Sequence, residues 1–477
     1  MTDTSVTLSL PLARRNLAYA SLVLLILMTN LDTSIVNVAL HQLSRTLQAE
    51  TGATVWVTTT YLLAVGCAVP ATAALGDQVG RRRLLLAGVP TFTLASLACA
   101  LSTTLPMLVA FRALQGMGAA MVFAVTIPIM RMIFPESRLG SVFGINAMAT
   151  ALGVCAGPTL GGLVLAHLSW PWLFLINVPI GVVAFAAAVV GVPQHQGVRG
   201  NFDWLGAASS AGAIAAFLVG VHEFSVAVGA HDSVDVARLR TGGGLLVVAA
   251  LLVVVLVHCE KSATRPVLPL PMWRNGVFSL SVITAFWSFF GQGVAFVALP
   301  LLFQSAYAAT ALRAAMLFTP WPAVIVLVSP IVGRLADRMR PSGLAVSGLA
   351  VYVLGLLALA LLGDHPATWM VLASTALAGL GFALFQSPNN REMQGAVPIE
   401  LASSGAAVLN LNRSVAQSAG SAMVSIALAL SGAGVGFTLQ EARAATSVLW
   451  VAVAGALLSL ALSAAKLRTV VLQSRAE

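Results

Sequence analysis

Runs of about twenty predominantly apolar residues recur along nearly the whole chain, and one such run carries an α-helix across the hydrocarbon core of a bilayer. The stretch TGGGLLVVAALLVVVLVHC, residues 241–259, is a clear instance. A soluble domain carries about 25% charged residues. Here Asp, Glu, Lys and Arg make up 9% of the 477 residues, 58% are hydrophobic and the mean hydropathy is +0.93. Lipid satisfies no backbone polar group, so only helices and closed barrels span it. The alternating ten-residue pattern of a membrane barrel is absent. The predicted fold is all-α and integral to the membrane.

Spans are predicted near Leu17–Leu40, Thr54–Leu75, Leu84–Ser102, Met107–Pro128, Gly140–Leu165 and Trp172–Val192. Two more lie near Trp204–Phe224 and Gly242–His258. The last six lie near Val277–Phe303, Ala311–Val332, Gly343–Leu362, Trp369–Ser387, Ser403–Ser431 and Thr446–Lys466. That order, six, two and six, divides the chain into an N-terminal bundle 1–200, a two-helix insert 201–266 and a C-terminal bundle 267–477. Both termini then share one side, and most basic residues fall in the loops of that side. The positive-inside rule makes it the cytoplasmic face of a plasma membrane. The formal charge of +9 is thus topological and does not mark a nucleic-acid surface. Arg14 and Arg15 before the first apolar run resemble a signal peptide, but that run is too long and holds Asp32 and Asn37, so it reads as an uncleaved span. Cys67, Cys99, Cys155 and Cys259 show no metal-ligand spacing and read as packing residues.

Asp32 sits in the run LVLLILMTNLDTSIVNVAL, where a carboxylate costs about 2.5 to 3.5 kcal/mol on insertion scales and marks an ion path or a binding site. Arg112, in VAFRALQGMGAA, is the complementary charge. Counting from the outer ends of their spans, Arg112 lies about 9 Å deep and Asp32 about 12 Å deep at 1.5 Å per residue, so the two can meet. Burial raises a carboxyl pKa and a guanidinium lowers it, so moving either influence switches protonation. GVCAGPTLGGLV places Gly153, Gly157 and Gly161 at i, i+4 and i+8, with Pro158 and Gly162 beside them. Such a stripe lets a second helix approach closely, and the proline permits a bend.

LGDQVGRRR follows the second span and GRLADRMRP the tenth, which indicates a repeat of six helices. Transporters are commonly built from such repeats. In the first copy Asp77, Gly80, Arg81 and Arg82 form a candidate gating loop; in the second Asp337 and Arg338 do. An acid at a helix end beside arginines latches one conformation through charge-assisted bonds. WPWLFLINVPIG, with Asn177, reads as an interfacial anchor without chemistry. In NLNRSVAQSAG, Arg413 lies about 15 Å into its helix, and no acid of the last six helices is expected at that depth. Asn37, Gln115, Trp287, Gln292, Gln386 and Arg413 are the candidate substrate-contacting residues.

Taken together, these stretches resemble the fourteen-helix drug:proton antiporter branch of the major facilitator superfamily, the EmrB/QacA-like multidrug exporters. The resemblance covers nearly the whole chain. It implies a major facilitator fold of two six-helix bundles plus a two-helix insert, and export of lipophilic drugs coupled to proton entry through Asp32 and Arg112. It also implies that the helix-5 glycines, Gly153 to Gly162, mark exchange. Ala73 and Gln78 depart from the family loop, where glycine and arginine are usual. A lone carboxylate in the cavity suits lipophilic monocations. A dedicated exporter of one endogenous metabolite or antibiotic is the alternative, and a non-transporting sensor a weaker one. A phosphate-binding loop needs glycine before its lysine, whereas Lys261 and Lys466 follow Glu260 and Ala465. No ATP, cofactor or metal is expected, and no nucleophile and base pair that would make an enzyme. The expected partners are protons, a small lipophilic substrate and the bilayer.

Overall fold

The computed structural model describes residues 11–48, 54, 56–194, 197, 203–228, 235–262, 267–305, 307, 311–363, 366–430 and 439–476. Among them all regular structure is helical. Thirteen helices are long and apolar enough to cross a membrane. The helix at Ala402–Leu430 is also long enough, but Asn410, Asn412, Arg413 and Gln417 interrupt its apolar surface.

In chain order, the first bundle contains α1 (Leu12–Ile35), α2 (Leu40–Thr46), α3 (Trp56–Val79), α4 (Arg81–Ala100), α5 (Leu105–Ile133), α6 (Leu139–His167), α7 (Trp172–Leu175) and α8 (Asn177–Gly191). Two predicted spans are interrupted. The first leaves α-helical geometry at Val36–Ala39, a 3-10 turn, where two valines and an asparagine, all modest helix formers, follow one another. The sixth is interrupted only in its hydrogen-bond ladder at Ile176, whose φ of −58° and ψ of −28° stay helical. Pro179 then falls in the first turn of α8, where its missing N–H costs nothing.

The remaining helices are α9 (Trp204–Val228), α10 (Val236–Ser262), α11 (Gly276–Ser305), α12 (Ala311–Phe318), α13 (Pro320–Arg338), α14 (Pro341–Ala360), α15 (Thr368–Gly395), α16 (Ala402–Leu430) and α17 (Leu439–Ala476). The tenth predicted span is divided at Thr319, because Pro320 starts a helix well but cannot continue one.

The chain packs as two units. One holds residues 1–211, 256–270 and 397–410; the other holds 212–255, 271–396 and 411–477. In the first, α1 packs on α6 and α8, while α3 and α4 pack on α5. In the second, α11 packs on α17, and α13 and α14 pack on α15. The pairing of α3, α4 and α5 thus recurs in α13, α14 and α15, as a six-helix repeat requires. An apolar core that includes Ile35, Val57, Leu108, Leu173 and Phe174 closes one end of the first unit around the break in α1.

Candidate functional site

Asp32 lies on the last turn of α1, immediately before the 3-10 segment, and is fully buried. Three donors converge on its carboxylate. Oδ2 accepts Nη1 of Arg112 at 2.6 Å, and Oδ1 accepts Nε2 of Gln115 at 2.8 Å and Nδ2 of Asn177 at 2.7 Å. Arg112 and Gln115, three apart on α5, share one helix face. Asn177, the first residue of α8, is fully buried and reaches the same oxygen from a third helix.

The donors are themselves held. Gln115 Oε1 accepts Arg112 Nη1 at 2.7 Å, and its Nε2 also donates to Ser96 Oγ on α4 at 2.7 Å. Arg112 Nε donates to the Val57 carbonyl at 3.0 Å. Its guanidinium carbon stands 4.3 Å from the Tyr61 ring centroid and 5.7 Å from that of Phe174, within cation–π range. A buried ion pair is stable when additional hydrogen bonds replace the lost water, as they do here. Of the four side chains joined by these bonds, Asp32, Arg112, Gln115 and Asn177, the atoms Nη2 of Arg112 and Oδ1 of Asn177 are left without a hydrogen-bond partner among the described residues.

The glycines of α6 face this segment. A Cβ on Gly153 would lie 2.9 Å from the Leu27 carbonyl oxygen and the Leu31 nitrogen, and one on Gly157 would meet Ser34 Cβ at 2.7 Å and the Ile35 nitrogen at 2.9 Å. Ser34 Oγ donates to the Gly153 carbonyl at 3.0 Å, which fixes the contact. Gly161 is buried, whereas a Cβ on Gly162 would meet nothing within 4 Å. The side chains of Pro158 and Asn37 lie outside the described residues.

At the α3–α4 junction Gly80 takes φ 100°, a backbone region that L side chains rarely adopt. Asp77 on one side of it and buried Arg81 on the other pair at 3.0 Å. Both reach the start of α16: Ser403 Oγ donates to Asp77 Oδ1 at 2.6 Å, Arg81 Nη2 donates to the Ile399 carbonyl at 3.0 Å, and Arg131 Nη2 donates to that of Val397 at 3.0 Å. Arg82 turns elsewhere, to the Val189 carbonyl at 2.6 Å. In the second copy the partner of Asp337 is Arg391 of α15, at 3.5 Å, and Arg338 is exposed.

Several expected substrate contacts are placed otherwise. Gln115 belongs wholly to the Asp32 cluster and is fully buried. Trp287 packs edge to face on Phe286 and Phe290, against Gly455 of α17. Gln292 accepts from Gln417 Nε2 at 2.8 Å. Gln386 is half-buried. Arg413 is partly exposed above the Phe289 ring, 6.0 Å from its centroid.

A second buried ion pair escapes a reading of the sequence. Lys466 is fully buried on α17, with Nζ 2.6 Å from Glu392 Oε2 on α15, 3.1 Å from Ser281 Oγ on α11 and 3.0 Å from Asn389 Oδ1. Ser342 of α14 donates to the other oxygen of Glu392. A lysine at the end of a span ordinarily snorkels to the interface. The signal that contradicts snorkelling is Glu392, an acid four residues beyond Pro388 inside α15.

The sequence profile of the Major Facilitator Superfamily matches residues 22–421. The chain is 34% identical over 427 residues to the uncharacterized transporter YebQ of Escherichia coli, covering 88% of this chain and 90% of that one. It is 28% identical over 402 residues to the riboflavin transporter RibZ of Clostridioides difficile, covering 84% and 85%. To the multidrug resistance protein Stp of Mycobacterium tuberculosis it is 29% identical over 401 residues, covering 84% and 73%. The crystal structure of the human organic anion transporter MFSD10 superimposes with a TM-score of 0.66 at 13% identity, over 95% of this chain and 100% of that one, a likeness of fold alone.

Proposed function

The chain belongs to the major facilitator superfamily, and from that premise we propose that it is a secondary exporter, exchanging protons for lipophilic compounds carried out of the cytoplasm. The observation that carries this reading is the buried Asp32 cluster, one titratable acid held by α5 and α8 at the point where α1 breaks. Protons entering from outside protonate Asp32, release Arg112 and favour the state that lets substrate leave. The Asp77–Arg81 latch, bonded to the start of α16, holds the alternative state. Energy comes from the proton gradient, with no ATP or cofactor. The chain sits in the plasma membrane with both ends in the cytoplasm.

Relatives named as multidrug resistance proteins support drug export. A relative named as a riboflavin transporter favours the second reading, export of one defined compound. A preference for cations would draw on Asp32 as a cavity carboxylate. That support is weak, because the carboxylate is fully buried and already holds three donors. The test is dye efflux from energised inverted vesicles, for wild type and Asp32→Asn, with a protonophore control. Efflux that the protonophore stops and Asp32→Asn lacks is the expected result. Undiminished efflux in Asp32→Asn would move the proton site elsewhere, beginning with Glu223, which lies 3.6 Å from Arg238.

A further inference from the structure

Arg413 stands in the fourth turn of α16, well inside the helix. It makes no hydrogen bond and no ion pair among the described residues; its one contact of charge is the face of Phe289. Other buried or half-buried cations of the spanning helices are placed differently, Arg131 for one donating to the Val397 carbonyl. Arg112 has Asp32, Arg391 has Asp337 and Lys466 has Glu392. An ionised side chain at membrane depth is costly and is normally paired, so five N–H donors held open there call for an acceptor from outside the protein.

The surroundings specify that acceptor. Phe289, the ring beneath the guanidinium, is buried and packs on Phe382 at 5.7 Å between centroids, so protein closes that face of the guanidinium. Asn410 and Gln417, three residues before and four after Arg413, share its helix face. Gln417 is tied to Gln292 and Asn412 to the Val282 carbonyl, which anchors α16 to α11 on either side of the arginine. A planar guanidinium matches carboxylate, sulfonate or phosphate oxygens two at a time.

We propose that Arg413 is the binding group for the anionic end of the substrate, and that the compounds carried are lipophilic organic anions. This rests on the exporter reading for the movement of such compounds but not for their binding.

Binding and transport are therefore measured separately, with three probes sharing one dansyl fluorophore: the sulfonate anion, the neutral sulfonamide and a quaternary ammonium derivative. With the purified full-length chain in proteoliposomes, energy transfer from tryptophan reports binding. The sulfonate should bind at least tenfold more tightly than the ammonium probe. Arg413→Gln should reduce the sulfonate's advantage over the sulfonamide to within twofold, and Arg413→Lys should restore part of it. The proposal is overturned if wild type binds the ammonium probe as well as the sulfonate, or if Arg413→Gln weakens all three equally while the protein stays folded. If the sulfonate binds as expected but no probe moves under an imposed proton gradient, the anion site stands and the exporter reading fails. If the ammonium probe alone moves, the exporter reading stands and the anion site fails.

Discussion

Asn177 and Gln115 donate to the same carboxylate oxygen, Oδ1 of Asp32, at 2.7 and 2.8 Å from two different helices. Hydrogen bonds to a charged group contribute about 1.5 to 3 kcal/mol each. Asn177 therefore carries a share of the anchorage comparable with that of the residues beside Arg112.

Removing that donor should be felt in transport. Asn177→Ala is expected to slow proton-driven efflux about tenfold, the rate equivalent of about 1.4 kcal/mol, and Asn177→Asp, which sets a second acid beside Asp32, should do worse. Efflux rates normalised to membrane-inserted protein test this. Wild-type rates in Asn177→Ala would return the residue to a packing role.

Arg112 and Asp32 should behave as a unit in stability. Breaking a buried pair by deleting one partner costs about 3 to 5 kcal/mol, because the other is left uncompensated. Asp32→Ala and Arg112→Ala should each lower the unfolding midpoint of the purified protein, and the double variant should lose much less than the sum. Additive losses would mean that the 2.6 Å contact contributes little energy.

Within the α6 glycine stripe the positions are not equivalent. Gly157→Ala forces its methyl into Ser34 and the Ile35 nitrogen, an overpacking that typically costs about 1 to 3 kcal/mol. Gly162→Ala has open space around it. Expression, melting temperature and efflux should fall in the first and stay near wild type in the second. Equal losses at both positions would point to helix flexibility instead of contact with α1.

The Lys466–Glu392 pair should be revealed by partial removal. Lys466→Met alone strands a buried carboxylate and is expected to destabilise by about 3 to 5 kcal/mol. The double variant Lys466→Met with Glu392→Met should recover most of the loss, since an apolar pair of similar volume is often neutral. Thermal unfolding in detergent decides between this and a double variant as unstable as the single one.

The membrane class, the spans and the meeting of Asp32 with Arg112 were legible because each follows from quantities a sequence carries directly: apolar length, helical rise and charge. Asn177 was not. Its apolar run through Trp172–Val192 reads as one span, and periodicity alone does not say which face of that span α1 and α5 close over. Lys466 was missed for a related reason. The apolar count places it at a helix end, where solvent is the ordinary assumption, and only the packing of α11, α14 and α15 around it removes that solvent. Likewise the repeat predicted acids at Asp77 and Asp337. Their different partners, Arg81 and Arg391, depend on Pro341 standing where the first copy has Arg81, a substitution whose effect appears only in three dimensions.

The Lys466 ion pair also has a consequence for how the chain is made. Glu392 emerges from the ribosome well before Lys466, as do its donor Ser342 and the two other partners of the lysine, Asn389 and Ser281. Until α17 inserts, this carboxylate lacks its counter-ion, and the second unit carries an unneutralised acid among its helices. Completion of the last span is therefore the event that closes the unit. A chain truncated before Lys466 would present quality-control proteases with a charge that the finished protein never shows.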